Sequence, residues 1–407
     1  MSVENPKLRP IQTHLVEHNG RPAILLRDPL RLSAEALVPQ ELGPLLALCD
    51  GTRDLSALRA ALIVRAGLNL SPDAIRRLID QLDENLLLDN QRFAAAKARA
   101  LAEYHAAPHR PLTSAGQSYA ADPQELRAAL DAYMDAIADQ PVPSLDGVRG
   151  LTCPHIDYPR GGAVYAQTWA ALRQAAQEAE SVIVFGTDHL GSDGQITLTR
   201  QNYATPWGVF PTDGEVVDAV AASIGPEAAF DEELHHLGEH SIELALVWLH
   251  YIRDGKPCRL TPVLCGGFAP FVAGERHPAE HPAFDGAVRV LRQAAAEPRT
   301  LVIAAADLAH VGPAFGDMLP YDYVAQMRLQ EIDSRLIAQM ERGDAQAFFE
   351  EIKAVGDKHH VCGLPPIYLA LRTLGRTRGQ RLGYMQCPAD NRNTSWVSIC
   401  GLAWTAE

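Results

Sequence analysis

Three short apolar runs, each ending in a polar motif, constrain this chain most. VRGLTC leads into PHIDY (154–158), SVIVF into GTDH (186–189) and LVIAAA into DLAH (307–310). Runs of this length bounded by Gly or Pro read as buried strands of an α/β sheet. Ligands of open α/β sheets bind beyond the carboxyl ends of the strands. His155, His189, Asp307 and His310 are therefore expected to converge on one cleft. A fourth motif, EHS (239–241), sets His240 at the start of an apolar helix, SIELALVWLHY. Two imidazoles and a carboxylate in one cleft suit non-haem Fe(II), Cu or Zn.

Each motif also has a plainer reading. His155 is a strand-end residue with Asp157 two places on, and Arg160-Gly161-Gly162 opens a helix whose N-terminus would accept an anionic group. Asp188 or Asp157 is placed in sequence to hold the second nitrogen of His189, and Asp188 equally suits a turn cap. A histidine at a helix start tends to be neutral, which suits His240 to proton transfer or merely to capping, with Ser241 as the rival cap. His235, His236 and His250 read as surface or helix-face residues without a role.

The net charge of −14 and a balance of 36 basic to 50 acidic residues exclude general affinity for nucleic acid or anionic membrane. No apolar stretch reaches the roughly 20 residues of a bilayer span. MSVENPKLRP lacks the apolar core of a secretory signal, so a cytoplasmic location is expected. Seven cysteines without a CxxC pair read as reduced thiols, with Cys153, Cys265 and Cys400 packed in the core.

Residues 1–92 read as a separate module: a strand or hairpin at PAILLRDP, three helices (ELGPLLALCDG, DLSALRAALIVRAG, SPDAIRRLIDQLDENLLL) and a closing strand pair around Asp89-Asn90. Three helices and a terminal hairpin are winged-helix topology. The segment resembles the peptide chaperone of pyrroloquinoline quinone biosynthesis, which implies a peptide-binding role. Residues 93–112 are expected to form a linking helix, and 113–407 a domain of alternating strands and helices, a mixed sheet covered on both faces.

Seven motifs in register, PHIDY, GTDH, TPWG, EHSIEL, PVLCGG, DLAHVG and VCGLPPI, flanked by AGQSYAADPQELRAALDAY (115–133) and NRNTSWVSICGLAW (391–404), resemble the Memo family, whose bacterial branch is AmmeMemoRadiSam system protein B. The resemblance implies a fold like that of class III extradiol dioxygenases. It implies His155 and His189 as metal ligands, His240 as catalytic acid/base, and DLAH as the source of a third ligand. The ligand position of that segment falls on Ala309, so either Asp307 or His310 is expected to substitute or the metal keeps two protein ligands plus solvent. PHIDY departs from the usual PHAGY and brings Asp157 toward the site as a further catalytic or substrate contact. The resemblance implies Fe(II), with Cu or Zn as alternatives, a small-molecule or peptide substrate, and companion proteins: a radical SAM enzyme and a small AMMECR1-like partner.

Overall fold

The structure, a computed structural model, describes residues 4–143 and 145–407. Two compact units divide it, Met1–Ala107 and Pro108–Glu407.

In the first unit, β1 (Gln12–His18), β2 (Arg21–Arg27) and β3 (Ala36–Pro39) form an antiparallel sheet. Helices α1 (Gly43–Leu48), α2 (Leu55–Ala66), α3 (Pro72–Glu84) and α4 (Gln91–Ala106) follow. Asp54 caps α2 through Ala57 N, and Ser71 caps α3 ahead of Pro72, as their residue types predict. Leu26, Leu45, Leu58, Leu62, Ile75 and Ile79 form the core. A buried pair, Arg9 Nη2 to Asp28 Oδ2 at 2.6 Å, is embedded in this unit. The strand pair expected around Asp89-Asn90 does not form. Asn90 instead accepts hydrogen bonds from Arg92 N and Phe93 N and starts α4, while Leu88 makes only a lone bridge to Leu8. The capping side chain satisfies the first amides of a helix, so a helix begins where a turn was expected. The helix expected as a linker accordingly belongs to the first unit.

The second unit begins with α5 (Pro123–Asp135), β4 (Val148–Cys153), α6 (Tyr158–Ala171), α7 (Arg173–Glu178) and β5 (Ser181–Thr187). Short strands β6 (Ile196–Leu198), β7 (Tyr203–Thr205) and β8 (Gly208–Phe210) lead to α8 (Gly214–Ile224), α9 (Pro226–Phe230), α10 (His235–Gly238) and α11 (Ser241–Ile252). Then come β9 (Arg259–Cys265), α12 (Ala269–Val272), α13 (Pro282–Ala296), β10 (Thr300–Ala305) and β11 (His310–Val311). The unit ends with α14 (Tyr323–Glu341), α15 (Ala345–Lys353), α16 (Leu364–Leu374), β12 (Thr377–Pro388) and β13 (Trp396–Ala406).

Its main sheet is eight-stranded and mixed, in the order β11-β13-β4-β10-β5-β9-β6, with β12 on β13. Strands β4, β10, β5 and β9 run parallel. Their side chains alternate between two cores. Leu151, Val182, Val184 and Ile303 pack with α5, α6 and α11 on one face. Ile183, Phe185, Val302 and Val263 pack with α8, α13 and α16 on the other. This is the two-faced mixed sheet that the apolar runs predict. Cys153 lies in the first core, Cys265 and Cys400 in the second. No helix among the described residues is long and apolar enough to cross a membrane.

Candidate metal centre

The register of the parallel strands aligns the motifs. Ala305 pairs with Cys153 on one side and with Gly186 on the other. His155, Asp307 and His189 each follow one of these aligned ends within two or three residues, so they emerge side by side. His240 arrives from α11. A Cβ on Gly186 would stand 2.5 Å from Ser241 Oγ, so glycine allows the first turn of α11 to rest on the end of β5. Ser241 Oγ then donates to Thr187 O at 2.9 Å. The His189 and His240 rings stack at 4.9 Å, and His155 stands edge-on to both at 5.1 and 5.4 Å. One nitrogen from each of the three lies within 4.8 Å of the others.

Fixed partners aim the imidazoles. His155 N donates to Asp307 Oδ1 at 2.8 Å, and His155 Nδ1 meets Ala305 O at 3.0 Å. Since a carbonyl only accepts, Nδ1 carries a proton toward it, and Nε2 is the ring atom turned to the centre. The second nitrogen of His189 is held by neither Asp188 nor Asp157. Glu239 takes that place: its Oε2 lies 3.0 Å from His189 Nδ1 and its Oε1 accepts from His240 N and Ser241 N. Asp188 pairs with His235 Nδ1 at 2.9 Å. Asp157 caps α6 and is ion-paired with Arg160, so the helix N-terminus expected to receive an anion already holds a carboxylate.

A residue to which sequence reasoning gave no role completes the cluster. Cys362 Sγ lies 3.3 Å from His155 Nε2, and its side chain also hydrogen-bonds His189 and His310. It is the only one of the seven cysteines that is not buried. Gly363 makes the approach possible, because a Cβ there would stand 2.3 Å from Asp307 O. Ala309, by contrast, packs in a small apolar cluster with Val311 and Leu329. The thiol thus enters from the VCGLPPI motif, at the start of α16, and not from position 309. A cysteine directly before a glycine at a helix start was the available signal. Asp307 Oδ2 lies 3.8 Å from His155 Nε2, behind the same group.

The electrostatics are polarised. Burial works to lower the pKa of His155, but Asp307 and Cys362 outweigh it and raise it to about 9. Burial works to raise that of Cys362, yet His155 and His310 hold it well below the ordinary thiol value. His240 differs: burial, helped by His189 and His155, lowers its pKa to about 4 against the pull of Glu239. It is a neutral imidazole at pH 7.

The other histidines are buried, not surface, residues: His236 and His250 are fully enclosed, and His235 is 4% exposed. His236 Nδ1 meets Tyr203 Oη and its Nε2 meets Thr197 O, while His250 Nδ1 meets Thr205 Oγ1. Beneath the centre, the buried Arg110 guanidinium donates to Glu239 O at 2.7 Å and pairs with the Glu243 carboxylate. Glu243 also accepts from Ser114 N and Tyr119 Oη. The stretch carrying Glu239 and His240 is therefore anchored on both sides.

Comparison with known proteins identifies the family of the chain. Residues 110–402 match the family described as Memo-like protein. A MEMO1 family protein of Aquifex aeolicus is 25% identical over 391 residues, which cover 93% of this chain and 95% of that one. A MEMO1 family protein of Methanosarcina acetivorans is 28% identical over 240 residues, 58% of this chain and 78% of its own. One from Thermococcus kodakarensis is 26% identical over 302 residues, 70% of this chain and 94% of its own. With the match running through all four histidine motifs, the chain belongs to the Memo-like protein family.

Proposed function

We propose that the second unit is a non-haem metal centre, with Fe(II) as the native ion and Cu or Zn as ions the same donors accept, and that it performs an oxidative step on a small or peptide-linked substrate. The observation that carries this reading is the clustering of the His155, His189 and His240 nitrogens within 4.8 Å of one another, with the Cys362 thiol 3.3 Å from His155 Nε2. The donor set fits such an ion. Both histidines have Nδ1 tied to a carbonyl or carboxylate, as imidazole ligands usually do, and the thiol is held toward its anionic form.

When bound, a redox-active ion supplies Lewis acidity and electrons to dioxygen. The residues of the chain do the rest. His155, His189 and Cys362 would hold the ion, and Asp307 fixes the backbone of His155. His240, neutral and 39% exposed at its side chain, faces the open side together with His189, at 35%. Its Nδ1 lies 3.2 Å from Glu239 Oε1, which leaves Nε2 to take or give a proton.

Metal content of anaerobically purified protein tests this. Wild type should carry about one iron per chain, lost in His155→Ala, His189→Ala and Cys362→Ala and kept in His240→Ala. A wild type without metal, or ligand variants that retain it, would sink the reading.

A further inference from the structure

A hollow of about 750 Å³ opens beside His189 and Cys362. The geometry points to it as the seat of an amphipathic small molecule, with an oxygen-bearing head against the metal-binding side chains and an apolar body along the opposite wall. This assignment rests on the metal-centre reading and adds the class of ligand. The size suits one small ligand.

The inner end is polar and fixed. Asp188 is held by His235, and Thr187 Oγ1 donates to Cys362 O at 3.1 Å. The wall is apolar and is made by Phe268, Ala269, Val272, Ala273, Leu364 and Pro365. Two features make it a built surface. Phe268 is buried and braced by Phe271 and Phe284, with ring centroids 5.1 and 5.2 Å away, so the floor is rigid. On α12 and at its C-cap, Ala269 and Ala273 face solvent and Val272 is half-buried, so small apolar side chains leave room for an incoming body. The rim carries both signs, Asp193 and Asp357 with Lys358 and His360, so no single-signed field selects a highly charged ligand. Apolar contact is left to select the body, and the donors of the centre the head.

Hydroxamates of increasing chain length test this. Each presents the same oxygen head and differs only in its body. Protein reconstituted anaerobically with Fe(II) is titrated calorimetrically with acetohydroxamate, butyrohydroxamate, hexanohydroxamate and octanohydroxamate. Affinity should rise along the series, by about fourfold per methylene that the wall buries, with a negative heat-capacity change. Ala269→Asp and Ala273→Asp, both at exposed positions, should flatten the series, whereas Gln380→Asp on β12 should leave it unchanged. Benzohydroxamate against heptanohydroxamate, equal in carbon number, then distinguishes a ring from a chain as the body. Equal affinity along the series, or a slope that survives both alanine variants, overturns the assignment while leaving the metal reading intact. Protein that takes up no iron overturns both.

Discussion

Glu239 Oε2 accepts from the backbone nitrogen of His189 at 3.1 Å and meets Nδ1 of the same residue at 3.0 Å. The other oxygen serves His240 N and Ser241 N at 2.7 and 2.9 Å. One carboxylate thus aims one imidazole and fixes the backbone of another. Burial works to raise its pKa, but His189 and His240 hold it well below the ordinary value, so it is ionised. Glu239→Gln keeps the shape but offers one acceptor oxygen in place of two. Iron affinity, measured by competition with a chelator, should fall about 10- to 100-fold, with the folded state retained. An unchanged affinity would show that the ring of His189 is aimed by something else.

The approach of Cys362 depends on its neighbour lacking a side chain. In Gly363→Ala the new methyl would stand 2.3 Å from Asp307 O and 2.8 Å from Ala306 Cβ. Both lie in the packed floor of the site, so the loop must move. The expected cost is about 1–3 kcal/mol, read by denaturant unfolding, with weaker iron binding. Gly214→Ala provides the contrast, since no atom lies within 4 Å of that Cβ and its φ is not positive. It should change stability by less than about 1 kcal/mol. Equal effects at the two positions would contradict the close-approach argument.

The parts legible in the sequence share a physical reason. VRGLTC, SVIVF and LVIAAA are continuous apolar runs because parallel strands are covered on both faces, and the rule that ligands sit at carboxyl ends then locates His155, His189 and Asp307. Cys362 escaped because it follows no strand. It enters from a helix start 207 residues beyond His155 in the chain, a pairing no local pattern encodes. Glu239 escaped because Asp188 was nearer in sequence, but the side chain of Asp188 is engaged by His235. Strands β6, β7 and β8 are three residues each, too short for alternation to register.

Arg110 and Glu243 are both fully enclosed, and the guanidinium also donates to Pro111 O and Thr113 Oγ1. Breaking a buried pair from one side strands the other charge. Arg110→Met should therefore destabilise by about 3–5 kcal/mol and loosen the 239–240 segment, weakening iron binding as well. Arg110→Met with Glu243→Leu should recover part of the stability, because neither charge is left alone. A double-mutant cycle in denaturant measures the coupling. Additive losses would mean that the two side chains do not act as a pair.

Asp333 on α14 is buried, accepts from Tyr384 Oη at 2.8 Å, and has no ion pair among the described residues. Burial raises its pKa from 3.8 to about 6, although hydrogen bonds from Ser398 and Tyr384 oppose the rise. The sign follows from proton binding. Between pH 4 and 6 the folded state holds a proton that the unfolded state has released, so this residue's contribution to stability falls as pH rises through that window. The shift corresponds to a penalty of roughly 3 kcal/mol once both states are ionised. Asp333→Asn keeps an acceptor for Tyr384 and removes the titration. The variant should match wild type near pH 4 and melt higher above pH 6, by about 5 °C. The quantity to follow is the difference between the two melting curves across pH, in which the other titrating groups cancel. A constant difference would mean that Asp333 ionises in the fold as readily as it does in water.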